Sequence, residues 1–118
     1  MSMDDILTSV KKSIGIAPDN YYFDPELVLH INSVFSVLRQ IGVGPSDGFM
    51  LEDDKTSYWS DYISDDAKKL QLVKTYISLK VKLWFDPPIN SAILSAMERQ
   101  VSELEWRLSV QVDPGDLP

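Results

Sequence analysis

Residues 24–42, DPELVLHINSVFSVLRQIG, carry the clearest helical signal in the chain. Asp24 is a good N-cap, Pro25 suits the first helical position, and Glu26 follows in the first turn. Phe23, just before the cap, is placed to staple onto Val28. Leu27, Ile31, Val34, Phe35, Leu38 and Ile41 recur at helical spacing and make one broad apolar face. Gly42 stops the pattern. A helix from Asp24 to Ile41 would be roughly 27 Å long, and a stripe that wide must be buried against other helices.

Three further segments supply them. Ile6, Leu7, Val10 and Ile14 put one stripe on a helix from about Asp4 to Ile14, with Asp4 and Asp5 at its positive end and Lys11 and Lys12 at its negative end. Leu70, Val73, Ile77, Val81 and Trp84 mark a long helix that starts after Ser64 or Asp65 and stops at Asp86-Pro87-Pro88. Ile93 or Leu94, Met97, Val101, Leu104 and Leu108 form a regular seam on a last helix from Asn90 or Ser91. Thr56 or Ser57 caps a short helical turn that carries Trp59, Tyr62 and Ile63. The expected fold is therefore all-α, a bundle of about four helices in one domain, residues 1–110. Residues 42–57, rich in glycine, proline and aspartate, read as a small β-hairpin or a long loop, with Phe49-Met50-Leu51 as its strand. Two prolines and a glycine in the last nine residues make an extended C-terminal tail over 111–118.

The charge narrows the function. Eighteen acidic residues against eleven basic ones leave a net charge of -7 in 118 residues. A nucleic-acid binder needs a basic face to displace counterions from phosphate. Here Lys11-Lys12 and Lys68-Lys69 are the only adjacent basic pairs, and Asp65-Asp66 partly offset the second. With no cysteine there are no disulfides and no thiolate metal sites. The acidic start Met1-Ser2-Met3-Asp4-Asp5 lacks a signal peptide's apolar stretch, and no apolar run approaches the roughly 20 residues that span a bilayer. The chain reads as a product of the cytosol with no membrane partner.

Chemistry is scarce. There is no GxGxxG, no phosphate loop and no GxSxG elbow. His30 is the single histidine and lies inside the second helix beside the apolar stripe, where a packed histidine is the plainer reading than a catalytic base. Glu52-Asp53-Asp54 lacks the spaced oxygens of a calcium loop and reads as a solvated acidic turn. No catalytic residue, metal ligand or cofactor site is expected, so the chain is not read as an enzyme. Among the aromatics, Trp84 and Trp106 are expected to fill the core. Phe49, Tyr58 and Trp59 lie around the loop, where core and partner anchor are equally open.

Several segments in order resemble the small head–tail connector (adaptor) proteins of tailed bacteriophages. They are HIN at 30–32 with its helix to Ile41, GVGPSDGF at 42–49, TSYW at 56–59, LVKTYISLKVKLWFDPP at 72–88, AMERQ at 96–100 and ELEWRL at 103–108. The resemblance implies a helical subunit, without enzymatic activity or cofactor, that joins about a dozen copies of itself in a ring. Its implied partners are the portal protein above, neighbouring copies beside it, and a stopper or tail completion protein below. DNA passes through without specific binding. The implied place is the virion neck, assembled in the host cytoplasm. A bacterial helical interaction module acting alone is the alternative. On the connector reading, Phe49, Met50, Leu51, Tyr58 and Trp59 of the loop region and Val110, Val112 and Leu117 of the tail are the interface candidates. Glu52, Asp53 and Asp54 are the channel-lining candidates.

Overall fold

The computed structural model describes residues 5–52 and 55–112, with side chains described up to Val110. Five helices follow in order: α1 (Ile6–Ser13), α2 (Asp24–Ile41), α3 (Trp59–Tyr62), α4 (Ala67–Phe85) and α5 (Ser91–Val112). The all-α bundle is as expected, with α3 as the short turn after Ser57. α4 is the central helix, packing against α1, α2 and α5. Its Val73, Tyr76, Ile77 and Val81 are wholly buried, as are Ile6 and Val10 of α1, Leu27, Ile31, Val34 and Leu38 of α2, and Leu108 of α5.

Asp5 opens α1, its carboxylate accepting the Thr8 amide at 3.3 Å. The α2 start differs from the expectation. Asp24 is not the cap: Phe23 holds that position with a helical backbone and no side-chain cap bond. The reason is competition, because the Asp24 carboxylate lies 2.9 Å from the Lys11 ammonium. The Phe23 ring stands edge-on to Phe85 with centroids 5.0 Å apart, so it ties α2 to the end of α4. Asp66 caps α4 by accepting the Lys69 amide at 3.0 Å. Asn90 caps α5 by accepting the amides of Ala92 and Ile93.

The described residues of 42–57 form a long loop and not a hairpin. Among the described residues there are only isolated bridges, Asp5 with Tyr58 and Glu52 with Lys55. Phe49-Met50-Leu51 forms no strand, and the partner of Leu51 is a side chain. Asn32 on α2 accepts the Leu51 amide at 2.6 Å and donates to the Leu51 carbonyl at 3.2 Å. One amide side chain thus supplies the donor and acceptor that a second strand would have offered. The chain then returns to α1, where the Ile6 amide donates to the Ser57 carbonyl at 2.9 Å.

The C-terminal boundary also moves. α5 continues through Gln111 and Val112, two residues into the segment expected to be tail. A proline restricts the residue before it, and the first proline of this stretch is Pro114. Nothing in Val110-Gln111-Val112 ends a helix. Residues 113–118 lie outside the described residues.

Gly44 shows how tightly the loop is seated. Its φ is +90°, and a Cβ there would stand 2.6 Å from the Tyr62 ring. Gly44→Ala is expected to cost more than the roughly 1–2 kcal/mol of left-handed strain, because the buried ring must also move. Gly15→Ala is the control, with φ +86° and nothing within 4 Å. Urea unfolding of both variants should show Gly44→Ala as clearly the worse. Equal losses would mean that the ring yields freely.

Two buried tyrosines are expected to make the fold alkali-sensitive. The Tyr76 hydroxyl donates to Glu105 at 2.6 Å, joining α4 to α5. The Tyr62 hydroxyl reaches the Val43 carbonyl at 3.4 Å. Burial pushes both phenols well above their ordinary value of 10.0, and at Tyr76 the Glu105 carboxylate adds to the effect. A raised phenol favours the protonated form in the folded state. That stability is complete below about pH 10 and is lost as pH rises beyond it. The unfolding free energy should fall by up to about 1.4 kcal/mol per pH unit for each tyrosine. Tyr62→Phe and Tyr76→Phe together should flatten that decline. An unchanged slope would remove these two groups as its cause.

Candidate docking surfaces

The residues expected at interfaces divide between core and surface. Trp59 is 7% exposed and Leu51 is buried. Phe49 is half-buried and stands 5.1 Å from both the Phe35 and Tyr62 rings. These three are occupied within the subunit. Met50 and Tyr58 keep exposed surface. Val110 is half-buried on α5 and Val112 is the last residue of that helix, while Leu117 lies outside the described residues. Glu52 is exposed at the bridge with Lys55, and Asp53 and Asp54 lie outside the described residues.

Trp84 and Trp106, expected in the core, are exposed, and Trp59, for which core and interface were both open, is buried. Trp59 belongs to the core, with the Lys74 ammonium 5.5 Å from its ring. Trp84 is 41% exposed and Trp106 is 67% exposed. Trp106 lies five positions after the buried Val101, about 140° around a helix of 3.6 residues per turn. Angular position alone therefore puts it on the outer face. Trp84 shares the angle of the α4 seam, but it comes at the last turn, where the bundle offers only an edge. There its ring lies 5.9 Å from the His30 ring and 5.0 Å from the Lys80 ammonium.

Other exposed apolar side chains went unnoticed in the sequence. Tyr21, Tyr22 and Leu29 stand out at the start of α2, and Ile89 and Ile93 at the start of α5. Together with Trp84 they crowd one end of the bundle, where α2 and α5 begin and α4 ends. The available signal was topological: a helical hairpin over Pro87-Pro88 brings the 84–93 turn beside the beginning of α2. A separate groove of about 440 Å³ runs between α2 and the loop, lined by Asn32, Phe35, Arg39, Phe49, Met50 and Lys55 among others.

Charge is segregated as well. α4 carries Lys68, Lys69, Lys74, Lys80 and Lys82 and no acidic residue, while the segments between helices hold eight of the eighteen acidic residues. His30 is half-buried with Nε2 3.6 Å from Glu26. Among the described residues no three His, Cys, Asp or Glu side chains gather where they could hold a metal ion. No helix among them is long and apolar enough to cross a membrane.

What the geometry presents is a closed core under several apolar surfaces. No characterised protein and no solved structure matches the chain. A family profile does: the one described as phage connector protein matches residues 6–115. That span runs from the first buried residue of α1 past the end of α5, so every element of the bundle lies within it, and the chain belongs to the phage connector protein family.

Proposed function

We propose that this connector protein is a head–tail adaptor subunit of the virion neck. Copies assemble into a ring beneath the portal, extend the DNA channel and give the stopper or tail completion protein its seat. The family match over the whole bundle is the observation that carries this reading. The exposed aromatic and aliphatic side chains support it, since apolar patches of this kind mark protein contacts. The subunit acts through the surfaces it offers and not through turnover. Assembly takes place in the host cytoplasm before heads and tails join.

Charge supports the channel role. About a dozen copies at -7 each would surround the DNA with a strongly negative field. A wall that offers phosphate no cations lets the duplex slide without holding it. Glu52, Asp53 and Asp54 are proposed to face the lumen. Replacing all three with lysine is expected to raise DNA affinity at least tenfold at low salt, with a steeper salt dependence. DNA binding equal to the native chain's would remove them from the channel wall.

The decisive experiment is native mass spectrometry of the chain with and without portal protein, together with images of virion necks in which the chain is located. A ring on the portal supports the reading. Particles that lack this chain yet still join heads to tails would overturn it.

A further inference from the structure

We propose that adjacent copies in the ring meet through two different surfaces: the aromatic end of one bundle and the outer face of α5 on the next. This rests on the ring reading and adds the contact that builds it. The donor surface is Tyr21, Tyr22, Leu29, Trp84, Ile89 and Ile93, with Ile89 fully exposed and Tyr22 84% exposed. At roughly 200 Å² for a large side chain, these leave on the order of 800 Å² in water, the area one partner contributes to a standard interface.

This surface is held in shape. The Lys11 ammonium is buried, 2.9 Å from Asp24, 3.1 Å from the Pro18 carbonyl and 5.0 Å from the centre of the Tyr21 ring. All three partners belong to residues 18–24, so one buried cation fixes the turn that displays Tyr21 and Tyr22. Tyr22 stands edge-on to Phe23, and Phe23 edge-on to Phe85. Side chains fixed before contact lose less entropy on binding.

Charge selects the occupant. Asp19 and Glu26 are exposed at the rim of this surface. Two copies meeting by the same face would set these carboxylates against each other, which disfavours a two-fold pair. The groove beside Met50 sets Arg39 and Lys55 beside Asp47 and Glu52, so it presents no net charge to that rim. The outer row of α5 fits instead. Trp106 is flanked along it by Ser95, Arg99, Ser102 and Ser109, all exposed, with Glu98 and Glu103 at its edges and Glu103 held by Arg107 at 2.7 Å. Small side chains leave room for tyrosine rings, Arg99 can meet the acidic rim, and tryptophan and arginine are the residue types that anchor interfaces. Ile93 and Trp106 lie about 20 Å apart along α5 and about 140° apart around it, so the contact is heterologous, the kind that builds a ring when its rotation closes.

The chain has no cysteine, which makes cross-linking a clean test. Ala17 and Ser102 are exposed beside the two surfaces. In full-length chain assembled with portal protein, Ala17→Cys or Ser102→Cys alone should give no bismaleimide-linked species. An equal mixture of the two should give dimers. The double variant should give a ladder of multimers, lost in Trp106→Glu or Ile89→Glu backgrounds that keep the helical circular dichroism spectrum. Dimers from either single variant, a ladder that survives both charge substitutions, or rings of the double-cysteine variant that yield no ladder would each overturn this contact and leave the ring standing. A native chain that stays monomeric even on the portal would overturn the ring reading and this contact with it.

Discussion

Asp24→Ala is expected to destabilise the chain by about 3 kcal/mol, although the carboxylate caps nothing and touches no partner protein. The loss comes from Lys11. Its side chain is 2% exposed, and the nearest anion is Asp24, whose side chain is 24% exposed. Removing the anion leaves a cation in a nearly dry site, held by the Pro18 carbonyl and the face of Tyr21. A buried charge stripped of its partner loses far more than the intact pair contributes. Asp24 Oδ1 lies 2.9 Å from the ammonium but lacks hydrogen-bond alignment with it. The contact is therefore chiefly ionic, and its partial exposure keeps the expected loss at the lower end of the range for buried pairs. Lys11→Met in the Asp24→Ala background replaces the unpaired charge with an apolar chain of similar length, and should recover most of the loss. Urea denaturation of the two variants and the native chain measures both steps. A double variant no more stable than Asp24→Ala would mean that the loss lies in the start of α2 and not in the stranded cation.

The same pair shows where sequence reading reaches its limit. Helical spacing located the core of α2, because Leu27, Ile31, Val34, Phe35 and Leu38 need only a facing surface to be buried, whatever that surface is. Capping chemistry at Asp24 was misread because two local uses compete for one carboxylate. The winner is a lysine thirteen positions earlier, brought near by the 15–23 turn. Over 42–57 the sequence leaves hairpin and loop both open for a related reason. The apolar run Phe49-Met50-Leu51 suits a strand, but the hydrogen-bond partner of Leu51 is Asn32, a side chain on a helix. No pattern within the loop encodes that. Trp106 is a different matter: its angle from Val101 was readable, and size alone suggested burial. The docking surfaces were the least legible part. Tyr22 and Ile89 lie far apart in the chain, and only the packing of α4 on α2 and α5 puts them at one end of the bundle.

Phe35→Ala is expected to be the most damaging single core substitution, costing about 3–5 kcal/mol. Phe35 is 2% exposed. Its ring centroid is 4.7 Å from that of Tyr62 and 5.1 Å from that of Phe49, and those two rings are themselves 5.1 Å apart. The triangle joins three elements that share no continuous backbone hydrogen-bonding: α2, the long loop and the short α3. Truncation leaves a cavity and also removes two ring–ring contacts, each worth roughly 0.5–1.5 kcal/mol beyond area burial. The loop should loosen first, since Phe49 then loses one wall and the Asn32 clasp on Leu51 must hold it alone. Hydrogen exchange at the Leu51 amide should accelerate more than exchange in α4. Phe35→Leu, which keeps most of the volume, should lose only about 1–2 kcal/mol and spare the Leu51 amide. A loss below about 1 kcal/mol for Phe35→Ala, or an unchanged Leu51 amide, would mean that the aromatic triangle does not hold the loop. The consequence reaches beyond stability. Glu52 and Met50 flank Leu51, so their positions on the surface are set from inside the subunit by Phe35. If Glu52 lines the DNA channel as proposed, a chain with Phe35→Ala that remains folded in the cold should still show an altered loop wherever copies assemble.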